Sequence, residues 1–241
     1  MATDDPSNSD PPVPYVPHVG ASRQYWRDLV LGVNDGLVSI FLLVAGVVGG
    51  GLSTKAVLLT AVAGALAGAV SMALGEYLAT KSQDQVLQRE LTLERDHIRH
   101  HRTMEVQQLR DMFAEMGIDG DDLETATAIF SATDDRLLAA MQALEFGVVD
   151  SERRSPYMAA WASGLAFIVG SAPATLPFVF VTAVDAAFFG SAVATGIGLF
   201  LVGVAKTRVT MTNPIVAGLE NLTIAGVGAV VASAVGTTFA A

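Results

Sequence analysis

Five long apolar stretches dominate the chain, near Leu29–Gly51, Ala56–Ala79, Tyr157–Phe180, Ala183–Ala205 and Ile215–Phe239. Each exceeds what a helix rising 1.5 Å per residue needs to cross ~30 Å of hydrocarbon. Inside a bilayer every backbone N–H and C=O must be satisfied within its own segment, so stretches of this kind fold as helices. The connections near Leu52–Lys55 and at Val181–Thr182 are short and predict antiparallel hairpins. The expected fold class is an all-α membrane protein with five transmembrane helices and a three-helix cytoplasmic domain inserted between spans two and three.

Basic residues set the expected orientation, because Lys and Arg concentrate on the cytoplasmic side of short loops. Arg23 and Arg27 precede span one, nine Lys/Arg lie between spans two and three, and Lys206 and Arg208 lie between spans four and five. All of these fall on one side if the N-terminus is cytoplasmic, and Lys55 alone falls on the other. The N-terminus and the segment 80–155 are therefore expected in the cytoplasm, with the C-terminus opposite. Residues 1–24, carrying Pro6, Pro11, Pro12, Pro14 and Pro17 among Asp and Ser, read as a disordered tail without the pattern of a signal peptide. A net charge of −10 argues against a nucleic-acid partner, and the absence of cysteine excludes disulfides, thiolate metal sites and thiol catalysis. No P-loop is present to support direct coupling to ATP.

The segment 80–155 differs from its surroundings, with sixteen Asp/Glu against nine Lys/Arg. Leu87, Leu91, Ile98, Leu109, Met112, Phe113 and Met116 recur at helical spacing and predict one long helix continuing out of span two, closed by the C-cap signal Met116-Gly117-Ile118. Further helices are predicted from Asp121 to Ser131 and from Asp134 to Val149. On a continuous helix Glu94, His97, His101, Glu105 and Gln108 share one face, which Glu90 extends by a turn. Carboxylate and imidazole at this spacing suit a divalent transition ion rather than Mg²⁺ or Ca²⁺. An ordinary solvated face, with Arg95, Arg99 and Arg102 interleaved, is the competing reading. Glu94-x-x-His97 is also half of a di-iron carboxylate motif, but no second Glu-x-x-His follows to complete it.

Three carboxylates lie within predicted spans: Asp35, Glu76 and Glu220. Each costs ~2.5–3.5 kcal/mol near mid-bilayer, so each needs a reason. With Met72, one turn deeper than Glu76, they fall in a layer roughly 4–11 Å inside the cytoplasmic boundary. Asn34, Asn213 and Asn221 are candidates to add neutral oxygens to a cation site there. The alternative for Glu76 and Glu220 is snorkelling to the interface, and for Met72 simple packing; Asp is too short to snorkel. Gly32/Gly36 and Gly64/Gly68 place small residues four apart, a spacing that lets helices approach closely within a chain or across a dimer.

Taken together these residues resemble the vacuolar iron transporter family (VIT/CCC1-like, with the nodulin-21-like proteins). The resemblance runs from Tyr25 to the C-terminus. It is carried by Gly32–Ser39 (GVNDGLVS), Ala69–Tyr77 (AVSMALGEY), Gly170–Phe178 (GSAPATLPF) and the Lys206–Gly218 stretch with Asn213-Pro214. It implies a five-span homodimer that is a transporter rather than an enzyme, exchanging cytosolic Fe²⁺, and often Mn²⁺, for protons. No permanent cofactor is implied; Fe²⁺, Mn²⁺, Zn²⁺ or Co²⁺ would be cargo or bound ion. Asp35 and Met72 match the family's transmembrane pathway, with Glu76 and Glu220 as further candidates. Glu94, Glu105, Met141 and Glu145 match its metal-binding positions, and His97 and Gln108 stand where the family usually has Glu. His97, with an ordinary pKa near 6.5, is expected to weaken ion capture below about pH 6. The membrane would be vacuolar in a eukaryote and the plasma membrane in a prokaryote.

Overall fold

A computed structural model describes residues 22–147, 154–210 and 213–240. Within them run nine helices: α1 (Ser22–Gly49), α2 (Thr54–His100), α3 (Arg102–Glu115), α4 (Gly120–Phe130), α5 (Asp134–Leu144), α6 (Pro156–Thr175), α7 (Pro177–Phe180), α8 (Val184–Thr210) and α9 (Pro214–Phe239). Five of these, α1, α2, α6, α8 and α9, are long and apolar enough to cross a membrane, matching the expected number. Residues 1–21 of the expected tail lie outside the described residues, whereas residues 22–24 belong to α1 and correct that boundary.

Local chemistry sets the helix ends. Gly51 turns the α1–α2 hairpin with φ +76°, and Ser53 caps α2 by accepting the Ala56 N–H at 3.4 Å. Asn213 caps α9 by accepting from Ile215 and Val216 at 3.0 and 3.4 Å, with Pro214 at the first helical position where its missing N–H costs nothing. The third span is not the single expected helix. α6 ends at Thr175, and Pro177, which has no N–H to offer the carbonyl one turn back, starts the short α7.

α1 is central and touches α2, α6, α8 and α9. Its apolar side joins Ile40, Phe41 and Val44 to Val57, Ala61 and Phe167 in the main buried cluster. Glycines on both sides make this approach possible: the predicted Gly36 on α1 and Gly170 on α6. A Cβ on Gly36 would lie 2.3 Å from the Phe167 carbonyl, and one on Gly170 2.2 Å from the Val33 carbonyl. On α2, Gly64 faces Leu43 of α1 and Gly68 faces the Phe167 ring of α6. Both glycine pairs thus serve packing within the chain. Gly36→Val is expected to cost at least about 1–3 kcal/mol, because backbone on α6 cannot yield as a flexible side chain would. Thermal unfolding of the purified full chain in detergent checks this; an unchanged midpoint would contradict the packing.

Between α2 and α6 the chain builds a second, smaller core from Ile98, Leu109, Phe113, Leu123, Leu137 and Met141. α2 continues to His100, but it does not run on to Met116. His101 leaves helical geometry at φ −132°, ψ 30°, and α3 starts anew at Arg102. The expected first helix of the insertion is therefore two. α3 closes as predicted: with Gly117 at φ +90°, the Ile118 N–H donates to the Phe113 carbonyl at 3.1 Å and the Gly117 N–H to Ala114 at 2.9 Å. α4 and α5 match their predicted starts within a residue, although α5 stops at Leu144. Val148 and Val149 lie outside the described residues. Arg110 bonds Glu124 at 2.8 Å, and Arg102 pairs with Asp134, tying α3 to both.

Candidate metal centre

The break at His101 assembles the candidate site. Glu94 and His97 lie near the end of α2, about 22 and 27 Å beyond the predicted membrane end at Ala79. Glu105 lies on the first turn of α3. The turn brings Glu105 back against the other two, so that the three residues offer ligand atoms all within 4.8 Å of one another. His97 Nδ1 lies 3.4 Å from Glu105 Oε1 and 4.0 Å from Glu94 Oε2. Both glutamates are buried, at 5% exposure each, while the His97 side chain is 42% exposed and leaves the site open on one side.

The electrostatics point the same way. Glu94 Oε1 and Glu105 Oε2 are buried with no hydrogen-bond partner. Two carboxylates held this way, with only a half-exposed imidazole beside them, are poorly compensated without a cation. Burial, then the charges of Glu105 and Glu145, push the Glu94 carboxyl from 4.5 up to about 7. A mixed oxygen and imidazole set of this kind suits Fe²⁺, Mn²⁺, Co²⁺ or Zn²⁺.

The other residues predicted for this site divide. Gln108, one turn after Glu105 on α3, and His101, at the break, are both exposed. Glu90 is half-buried, a turn before Glu94 on α2. Glu145 is exposed at the C-cap of α5, near enough for its charge to act on Glu94. Met141 is fully buried in the small core, so packing is its visible work. Met141→Ala is expected to cost about 2–5 kcal/mol, whereas Met141→Leu keeps the volume and costs under about 1.5 kcal/mol. Ion titration of the Met141→Leu chain separates the roles: unchanged affinity marks a core residue, and a loss marks a thioether ligand.

Within the spans, Asp35 is half-buried on α1 and accepts a 2.7 Å hydrogen bond from Ser39 one turn on. Met72 is half-buried on α2 and packs against the main core. By residue count from the predicted cytoplasmic ends of their spans, Met72 and Asp35 lie at similar depths. The predicted layer is otherwise rearranged. Glu76 lies 3.5 Å from Arg154 and is held there rather than snorkelling freely. Glu220 is exposed on α9. Its neighbour Asn221 donates to Asn34 Oδ1 at 3.5 Å and the Leu199 carbonyl at 3.4 Å, while Asn213 is spent on its cap.

Two residues here escaped the sequence reading. Asp28, just outside the predicted edge of span one, is 1% exposed. Its carboxylate accepts from Arg27 at 3.2 Å and pairs with Arg154, whose guanidinium also sits 5.1 Å from the Tyr25 ring centre. The available signal was Asp28's place seven residues before Asp35, on the same face of α1.

Residues 26–237 match the VIT family. The chain belongs to this family. VIT-family relatives include vacuolar iron transporter 2 of Oryza sativa subsp. japonica, 32% identical over 198 residues, covering 82% of this chain and 80% of that protein. Vacuolar iron transporter 1 of Tulipa gesneriana is 29% identical over 86% of this chain and 84% of its own. Vacuolar iron transporter 1 of Arabidopsis thaliana is also 29% identical, over 86% of this chain and 82% of its own. The VIT match embraces all five spans and the insertion carrying Glu94, His97 and Glu105.

Proposed function

We propose that this VIT-family protein exports divalent transition metal, Fe²⁺ and also Mn²⁺, from the cytosol in exchange for protons. The observation that carries the reading is the convergence of Glu94, His97 and Glu105 outside the spans. Relatives named as vacuolar iron transporters supply the ion class and support transport. The basic-residue asymmetry puts the N-terminus and the insertion in the cytoplasm, so this cluster collects the ion before it enters the bilayer. The membrane is vacuolar or, in a prokaryote, the plasma membrane, and the working unit is a homodimer.

Asp35 is the exchange point in this scheme. It supplies a formal charge inside α1, and Met72 lies within a turn of its level. A carboxylate cannot hold a proton and a divalent ion together, so protonation from the far side releases the ion. Neutral Asn34 and Asn221 offer oxygen without competing for protons.

The test is ion uptake by the full chain in sealed proteoliposomes, comparing Fe²⁺ and Mn²⁺ with Mg²⁺ and Ca²⁺. Saturable uptake of the first pair with little of the second is the expected result. Tight binding of Fe²⁺ without uptake would make the protein a membrane-tethered buffer or sensor instead.

A further inference from the structure

We propose that Arg154 is a tethered cation that competes with the cargo ion for Asp28 and Glu76, holding the inner mouth between α1, α2 and α6 closed until a divalent ion displaces it. The inference rests on the transport reading above. Asp28 comes from α1, Glu76 from α2, and Arg154 stands two residues ahead of Pro156, where α6 begins. One guanidinium therefore joins three spans.

The cluster is enclosed. The side chains of Arg154, Asp28 and Glu76 are 8%, 1% and 17% exposed. Arg27, the other cation on Asp28, is 66% exposed and keeps its head in solution. Asp28 and Glu76 carry two negative charges, and Arg154 and Arg27 carry two positive, so the mouth is balanced without any ion. Removing Arg154 alone would leave two carboxylates with one solvated partner, which is the beginning of a divalent cation site.

The pairing is also incomplete. Arg154 Nε is buried with no hydrogen-bond partner. A guanidinium presents five donors in a fixed fork, and a purely structural arginine in so enclosed a place would be expected to satisfy all of them. Arginine does not shed its proton at any physiological pH, so it can leave the carboxylates only by moving. Lysine could leave by deprotonation as well.

Position makes the pair relevant to the pathway. Asp28 shares a face of α1 with Asp35, two turns or about 10 Å away. Glu76 stands one turn from Met72 on α2. An ion moving from the cytoplasm toward Asp35 between these helices meets Asp28 and Glu76 first, where it and the guanidinium repel one another.

Phenylglyoxal labelling of the wild-type full chain in detergent, read by mass spectrometry, tests the displacement. Arg99, 67% exposed, serves as the reference. Arg154 is expected to react far more slowly than Arg99 in metal-free buffer and at least fivefold faster with saturating Mn²⁺. A rate unchanged by Mn²⁺ overturns the proposal. A second measurement is Mn²⁺ titration by electron paramagnetic resonance in a Glu94→Gln, Glu105→Gln background. Adding Arg154→Gln is expected to create an extra Mn²⁺ site, and adding Asp28→Asn to that variant is expected to abolish it. A well-folded Arg154→Gln variant with no additional site also overturns the proposal. Neither readout needs flux, so a protein that carries no metal defeats the transport reading while these results stand separately.

Discussion

Asp35→Asn is expected to reduce metal uptake at least about 100-fold, to the level of protein-free vesicles. A divalent ion entering the span gives up water, and a formal negative charge is the main compensation a single side chain can provide. Asparagine keeps the shape and can still accept the 2.7 Å hydrogen bond from Ser39, so the fold should persist. A loss of ~2.7 kcal/mol of ion stabilisation is enough for the hundredfold effect. The check is uptake by wild-type and variant proteoliposomes prepared at equal protein density, with thermal unfolding as the control. Full uptake by a well-folded Asp35→Asn chain would remove Asp35 from the pathway.

The second large effect belongs to the cluster outside the membrane. Glu94→Gln with Glu105→Gln removes both buried charges and is expected to weaken ion binding at that site at least about 100-fold, with His97 alone left to ligate. Acid should do the same reversibly. Glu94 has its carboxyl raised to about 7, so ion binding strengthens as pH climbs through 7 and fades below it. Metal-free stability runs in the opposite direction. Because the folded-state value lies above the ordinary 4.5, the protonated Glu94 contributes stability that is complete below about 4.5 and lost as pH rises through about 7. Metal-free protein should therefore melt lower at pH 8 than at pH 6, an added divalent ion should reverse the loss, and Glu94→Gln should flatten the dependence. A flat profile in the wild-type chain would contradict the buried carboxylate pair.

Periodicity and length sufficed for the spans, because the bilayer imposes one answer on a long apolar stretch. Capping chemistry at Met116-Gly117-Ile118 was equally readable, since that cap is satisfied within a few residues, whereas Asn213, read as a candidate oxygen for the cation site, caps α9. The break at His101 was not. No proline or glycine marks it, and the alternative to continuing α2 is the core that Leu109 and Phe113 reach only by folding back onto Ile98. That tertiary gain overrides the helical pattern and moves Glu105 beside His97. Glu94 and Glu105 could be named from residue type, but their burial could not. The ionic knot of Asp28, Glu76 and Arg154 was hidden for a related reason. Its members lie up to 126 positions apart, and only the packing of α1 and α2 against α6 joins them. Gly32 and Gly36 signalled close approach without naming the partner.

Metal-for-proton exchange is tested most directly by the full chain in sealed proteoliposomes with a pH dye trapped in the lumen. Adding Mn²⁺ or Fe²⁺ outside should move metal inward and protons outward together, raising luminal pH, with both movements absent in Asp35→Asn. Metal uptake with no change in luminal pH, or an equal change in vesicles carrying Asp35→Asn, would contradict exchange at Asp35.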